Sequence, residues 1–219
     1  MQITVLTATY NRANLLGDLY DSLCRQTSKD FIWIIIDDGS SDGTKQLCEK
    51  WLHGNNGFKI EYYYKENGGK NRAINLGVEK VKTPYTMIMD SDDYLVDDAI
   101  EKMNMVIAGV SDMKNIVGVS GMKGESAITS LNQLHQNYVD ASNLERKELG
   151  INRDCCEVYK TEILRTHPFM PWEGEKFVPE EIVWNQIALE GYKLRWFNFI
   201  ICIVRYQEEG LTKGAWSLL

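Results

Sequence analysis

Apolar and polar positions alternate between two periods along the first half of the chain. Ile3 to Thr9 is a β-branched apolar run closed by Tyr10-Asn11-Arg12, the signature of a buried strand. From Ala13 to Cys24 the apolar positions Leu15, Leu16, Leu19 and Leu23 recur at helical spacing, with Asn14 or Asn11 placed to cap the helix. Phe31 to Ile36 is a continuous apolar run of the kind a strand covered on both faces uses. A turn over Asp37 to Gly43 leads to a helix over Thr44 to His53. The same alternation continues with a strand over Ile60 to Tyr64, a Gly68-Gly69 turn and a helix over Lys70 to Val81. A strand over Tyr85 to Met89 and a helix over Asp97 to Ala108 complete it. Strand–helix alternation at this short spacing predicts an α/β fold whose mostly parallel sheet has helices on both faces.

The second half carries weaker signals. Ile116 to Met122 reads as a strand, Glu157 to Arg165 as a strand running into a helix, and Glu180 to Glu190 as a helix ended by Gly191. Leu194 to Val204 reads as one or two strands. The polar stretch from Gly124 to Glu148 reads as a loop with helical turns. No repeat or Pro- or Ser-rich linker divides the chain. The expectation is one domain over 1–219, with a ligand-binding half at 1–110 and a smaller mixed half at 111–219.

Composition narrows the function classes. The net charge of −7 argues against a nucleic-acid binder held by phosphate contacts and gives no support to global attraction to an anionic membrane. The longest apolar run, Phe199 to Val204, is far short of the roughly 18 residues that span a bilayer, and Met1 leads into no export signal. Five cysteines at Cys24, Cys48, Cys155, Cys156 and Cys202 fit neither a zinc ribbon nor a disulfide framework, so a reducing, cytoplasmic setting is expected. His53, His135 and His167 read as surface or structural residues.

In such a fold the ligand site lies at the loops leaving the carboxyl ends of the strands. Those loops are Tyr10–Arg12, Asp37–Asp42, Glu66–Arg72 and Asp90–Asp93. Acids crowd in Asp90-Ser91-Asp92-Asp93. Two unit charges about 4 Å apart repel by roughly 4 kcal/mol at an effective dielectric near 20. A divalent cation turns that cost into an attraction, because hard cations take carboxylate oxygens. The structural alternative, a solvated turn with a helix cap, is the better account of Asp97 and Asp98. Asp38 sits at a strand end, where a carboxylate can accept a hydrogen bond from the ring N–H of a base. Gly68 and Gly69 open a helix, where backbone can approach an anion closely, and Lys70 and Arg72 add positive charge. Neither the GxGxxG fingerprint nor a Walker A loop occurs in the chain.

The ordered strings TATYNR, IIIDDGSSDGT, ENGGKNRAINLG and MIMDSDDYL resemble the nucleotide-sugar-binding half of the inverting family-2 glycosyltransferases, which have the GT-A fold. The resemblance covers roughly residues 1–110. It implies that Thr7, Thr9 and Arg12 lie around the nucleotide, that Asp38 recognises uracil, and that Asn67, Gly69 and Lys70 pass near base and ribose. Asp90, Ser91 and Asp92 match the Asp-x-Asp motif. There Asp92 would hold Mn²⁺ or Mg²⁺, and Asp90 and Ser91 would count among the nucleotide contacts, with Asp90 a second metal candidate. One departure is Ala8-Thr9-Tyr10, where many members carry Pro. In the second half the family's Glu-Asp pair corresponds to Glu180-Glu181. Glu181 would be the catalytic base, one methylene longer than the usual Asp, with Glu180 the alternative; acids are also simply favoured in a helix's first turn. Trp184 would form a sugar-stacking wall or belong to the core, and Trp172 would line the acceptor pocket. Gln207 and Glu208 have no assigned role as a third metal contact.

The resemblance therefore implies a metal-dependent inverting transferase that moves a sugar from a UDP-sugar to a glycan or lipid-linked hydroxyl, as in bacterial surface polysaccharide synthesis. It would act in the cytoplasm at the inner face of the membrane. A chain ending at Trp216-Ser217-Leu218-Leu219 is also compatible with truncation. Two alternatives remain. One is a domain that binds a nucleotide sugar without catalysis. The other is a sugar nucleotidyltransferase, which the glycine-free first loop disfavours. No motif encodes the donor sugar.

Overall fold

The carboxyl ends of the first strands finish level with one another, and this sets up the site. In a computed structural model, describing residues 2–124, 138–170 and 178–205, strand β1 (Ile3–Thr9) pairs in parallel with β2 (Phe31–Asp37), Ile3 opposite Phe31 and Thr9 opposite Asp37. β2 pairs in parallel with β3 (Lys59–Tyr64), bringing Tyr64 opposite Asp37, and β1 pairs in parallel with β4 (Tyr85–Ile88). The connecting helices are α1 (Leu16–Arg25), α2 (Thr44–Leu52) and α3 (Lys70–Lys80). After β4 come the short β5 (Tyr94–Leu95) and helix α4 (Ala99–Ala108).

The remaining elements are β6 (Ile116–Gly124), β7 (Tyr138–Ala141), β8 (Cys155–Lys160), α5 (Thr161–Thr166), α6 (Glu180–Leu189) and β9 (Lys193–Ile203). Among the described residues the strands form one sheet in the order β3-β2-β1-β4-β8-β6-β9-β5, with β7 also on β9. The sheet is parallel through β3-β2-β1-β4. It becomes mixed where β8 joins β4 and β6 antiparallel and β9 joins β6 in parallel. The single long β9 carries β7 along Leu194–Phe197 and β5 at Cys202–Ile203, both antiparallel.

Alternation along β1 and β2 assigns each side chain to a face. Ile3, Val5, Phe31, Trp33 and Ile35 pack against Leu16, Leu19 and Leu23 of α1 and Ile100, Met103 and Ile107 of α4. Leu6, Ile34 and Ile36 pack on the opposite face, in one cluster with Ala73, Ile74 and Val78 of α3 and Val183, Trp184 and Ile187 of α6. Both faces are covered, which is why these strands read as continuous apolar runs.

The structure corrects several local expectations. Neither Asn14 nor Asn11 caps α1, which starts at Leu16 without a side-chain cap. Asn11 adopts a left-handed φ of 50° instead, and its amide oxygen accepts the Ser41 N–H at 2.8 Å, tying the first loop to the second. Asp98 stands at the N-cap position of α4 but makes no capping bond; its carboxylate pairs with Lys102 at 2.7 Å, while Asp97 pairs with Arg25 at 3.1 Å. Within the described part of the expected 124–148 loop, residues 143–148 form turns as expected, but Tyr138–Ala141 is strand β7, whose short, half-polar sequence gives little strand signal by itself. The two-residue β5 is likewise too short to announce itself.

Close strand contact creates a stability test. A Cβ added at Gly118 of β6 would lie 2.2 Å from the Val158 carbonyl oxygen and 3.0 Å from the Tyr159 Cα, both backbone atoms of β8. Gly118→Ala is therefore expected to destabilise the fold by about 1–3 kcal/mol or more. Thermal denaturation should show a midpoint lower by roughly 2–4 °C per kcal/mol. An unchanged midpoint would mean that β6 and β8 are not this close.

Candidate active site

The first two loops are stitched together by their own polar groups. The Asn11 N–H donates to Ser40 Oγ at 2.8 Å, and the Ala13 N–H donates to Asp42 Oδ2 at 2.9 Å. Asp42 Oδ1 accepts from both the backbone N–H and the hydroxyl of Thr44, so Asp42 is a turn residue. Asp37 is fully buried and also structural: it accepts from the Ser40 N–H and from the Tyr62 hydroxyl, each near the strand ends.

Asp38 fastens the third loop to the second. Its Oδ1 accepts from Lys65 Nζ and from the Gly68 N–H at 3.0 Å; its Oδ2 accepts from Asn67 Nδ2 at 3.1 Å and from the Gly69 N–H at 2.7 Å. These four donors match the roughly four lone-pair positions of a carboxylate. The loops are pressed together at this point. Gly39 has a φ of 88°, and a Cβ there would lie 2.8 Å from the Asn67 nitrogen. Gly69 has a φ of 96° at the start of α3, a conformation side chains rarely adopt.

The acid loop meets a set of cations. Lys70 Nζ lies 2.6 Å from Asp90 Oδ1 and 3.0 Å from Glu180 Oε1, so one ammonium group joins the end of β4 to the start of α6. Lys123, at the end of β6, lies 3.6 Å from Asp90 Oδ2 and 3.1 Å from Asp93 Oδ2. Arg12 faces Asp92 at 3.7 Å. Lys70 and, less strongly, Lys123 hold the Asp90 carboxyl well below the usual carboxylate range, against the opposing effect of burial. Burial would lower the Lys70 ammonium, but Asp90 and Glu180 outweigh it and raise it. Asp93 is pushed up by burial and by Asp90, with Lys123 opposing. Asp93 also accepts from the Arg205 N–H at 3.3 Å, tying the acid loop to the end of β9.

These contacts sort the expected residues. Thr9, Arg12, Asp38, Asn67, Gly69, Lys70, Asp90, Ser91, Asp92 and Glu180 all lie at the end of β1, on the loops that follow the parallel strands, or at the starts of α3 and α6. The Thr9 hydroxyl is buried with no partner among the described residues. Thr7 lies deeper than the others. It is fully buried, and its hydroxyl accepts the Trp33 indole N–H at 3.1 Å, so it serves the core. Trp184 takes the second of the two places open to it, the core. It is 6% exposed, stacks on Tyr159 at 4.4 Å and meets Phe169 edge-on. Glu181 is exposed and makes no ion pair or hydrogen bond among the described residues. Trp172, His135, Gln207 and Glu208 lie outside the described residues.

Asp90 and Asp92 differ as metal donors. Asp90 is committed to two ammonium groups, whereas Asp92 is partly exposed and, among the described residues, faces the more distant Arg12 alone. No group of three His, Cys, Asp or Glu suited to a metal occurs among the described residues. A single carboxylate still fits a hard cation that completes its shell with substrate phosphates and water.

Sequence reading missed Lys123, Arg146 and Glu157 as parts of this region. A charged residue closing the apolar run of β6 was the one available signal for Lys123. Glu157 of β8 is largely buried and faces Arg146 at 3.6 Å. Burial pushes its carboxyl up to about 7, with Arg146 and Lys123 opposing and Glu180 reinforcing. The folded state thus holds this proton more tightly than the unfolded chain. The associated stability is present below the ordinary value of 4.5 and is lost as pH rises through about 7. Glu157→Gln, which cannot titrate, should flatten the dependence of the unfolding midpoint on pH across that window. Parallel curves for variant and parent would refute the assignment.

Residues 4–167 match the family described as Glycosyl transferase family 2. A teichoic acid poly(glycerol phosphate) polymerase of Staphylococcus epidermidis is 26% identical over 203 residues, covering 90% of this chain and 28% of that protein. An uncharacterised glycosyltransferase of Rickettsia typhi is 31% identical over 119 residues, covering 54% of this chain and 36% of that protein. The chain thus spans about a third or less of the length of these relatives. The fold is similar to that of Staphylococcus aureus TarS 1–349 in complex with UDP-GlcNAc (TM-score 0.74, 16% identity, covering 97% of this chain and 61% of that one). It is also similar to that of the mannosyltransferase PcManGT from Pyrobaculum calidifontis in complex with GDP-Man and Mn²⁺ (TM-score 0.68, 17% identity, covering 98% and 59%). With well over half of its length matched and with the GT-A architecture of these structures, the chain belongs to glycosyl transferase family 2.

Proposed function

We propose that this chain transfers a sugar from a nucleotide sugar, a UDP-sugar in our reading, to a hydroxyl of a glycan or lipid-linked acceptor with inversion at the anomeric carbon. The observation that carries the reading is the Asp90–Lys70–Glu180 chain. It sets the acid loop, where a donor diphosphate would lie, beside the first turn of α6, where a base would act. The UDP-bound and UDP-GlcNAc-bound TarS structures favour a uridine donor, while the GDP-Man complex of PcManGT keeps guanosine as the competing outcome.

The residues take the following roles. Thr9 offers its unpartnered buried hydroxyl to the nucleotide, and Arg12 offers positive charge to the diphosphate. Asp38 shapes the Asn67–Lys70 loop; a uracil ring N–H would have to replace one of its present donors, of which Lys65 is on the longest side chain. Asp92 is the residue to hold Mn²⁺ or Mg²⁺, which when bound neutralises charge on a departing diphosphate. Glu180 is engaged by Lys70, whereas Glu181 beside it is exposed. Glu181 is therefore the base. It takes the proton of the acceptor hydroxyl as the oxygen forms its bond to the anomeric carbon and the nucleoside diphosphate leaves. A surface-polymer acceptor agrees with the teichoic acid polymerase relative. Among the described residues no helix is long and apolar enough to cross a membrane. A lipid-linked acceptor would be met at the cytoplasmic membrane face.

Calorimetric titration with UDP, GDP, CMP and ADP, with and without Mn²⁺, is the first test. UDP should bind tightest, with an affinity that depends on Mn²⁺ and is lost in Asp92→Ala. Preference for GDP would remove the uridine reading, and no nucleotide binding at all would remove the catalytic one. Glu181→Gln should bind UDP as the parent does and lose roughly 10²–10⁴ in turnover. Unchanged turnover would remove Glu181 as the base.

A further inference from the structure

Three consecutive residues at the start of α3 reach three different parts of the molecule. The Gly69 N–H binds Asp38, the Lys70 ammonium binds Asp90 and Glu180, and the Asn71 side chain binds the main chain of Val178. The last contact is two-pointed. Asn71 Nδ2 donates to the Val178 carbonyl at 2.9 Å, and the Val178 N–H donates to Asn71 Oδ1 at 2.7 Å. Asn71 is 1% exposed and Val178 3%, so neither group has water as an alternative partner. Val178 precedes Glu180 by two residues, and Pro179 between them restricts the intervening backbone. A planar amide that satisfies both the donor and the acceptor of one residue fixes that residue's position and its orientation.

We propose that Asn71 is a positioning residue for the catalytic glutamate. It docks the entry to α6 onto α3, the same helix that receives the nucleoside loop through Gly69 and the acid loop through Lys70. This inference rests on Glu181 being the base. The distance from base to anomeric carbon is thereby set through the first turn of α3. A comparable amide clamp one turn along provides a comparison: Asn75 Nδ2 donates to the Phe169 carbonyl at 2.6 Å, and the Phe169 N–H donates to Asn75 Oδ1 at 2.9 Å. Phe169 is not adjacent in sequence to the glutamate pair.

The test is a double-mutant cycle with sugar transfer, UDP affinity and thermal midpoint as readouts. Asn71→Ala is expected to lower kcat about 10- to 100-fold, the scale of a small misplacement of a reacting group. UDP affinity should stay within about twofold of the parent. In a Glu181→Gln background the same substitution should cause no further loss beyond about twofold, because its effect runs through that carboxylate. Asn75→Ala should lower the thermal midpoint to a similar extent while leaving kcat within about twofold. Should the alanine variant not fold, Asn71→Asp keeps the acceptor for the Val178 N–H, loses the donor and is read in the same way. An unchanged kcat in Asn71→Ala, additive losses in the double variant, or an equal kcat loss in Asn75→Ala would each overturn the positioning role. Those results are distinct from failure of the base assignment, in which Glu181→Gln alone leaves turnover unchanged and the inference falls with it.

Discussion

The ion chain from Asp90 through Lys70 to Glu180 is the contact on which the arrangement of the site depends. Carboxylates gathered at the ends of buried strands and helices repel one another and resist leaving water. An ammonium group at 2.6–3.0 Å from two of them reverses the sign of that interaction. A half-buried pair of this kind adds little net stability compared with apolar packing, but removing one partner leaves a partly desolvated charge uncompensated. Its consequence is geometric. The end of β4 and the beginning of α6 are far apart in sequence, and they meet because Lys70 touches both. Lys123 repeats the device from the other side by facing Asp90 and Asp93.

Sheet order explains how these cations arrive. The parallel segment β3-β2-β1-β4 delivers its loops to one edge with matched register. β8 and β6 then extend the sheet beyond β4, which carries Lys123 to the acid loop and Glu157 into its neighbourhood. β9 closes the arrangement by presenting the Arg205 N–H to Asp93. Polar groups from both halves of the sequence therefore share one charged region. Asp38 plays the equivalent part among the first loops, with its carboxylate holding the Gly68–Gly69 backbone at the entrance to α3.

The contrast between Glu180 and Glu181 follows from helix geometry. Adjacent residues on a helix point about 100° apart. One carboxylate turns to Lys70, and its neighbour stays exposed. The same geometry carries Trp184, one turn after Glu180, into the core against Tyr159 and Phe169.

The sequence by itself determined the strand–helix alternation, the assignment of apolar runs to buried strands and the loops that form the site. Those features depend on local periodicity and on turn residues, which act over a few positions. The family resemblance also rested on motifs contained within single loops. What only the tertiary structure decided are the partners. Thr7 and Trp184 have side chains suited to ligand contact, yet strand pairing and helix packing turn them toward Trp33, Tyr159 and Phe169. Lys123, Asp93 and Glu157 acquire their roles from strands brought together out of sequence order, and Asn71 from a main-chain partner 107 positions away. Hydrogen bonds and ion pairs act over a few ångströms of space, so a linear pattern specifies which groups are available, and the fold specifies which of them meet.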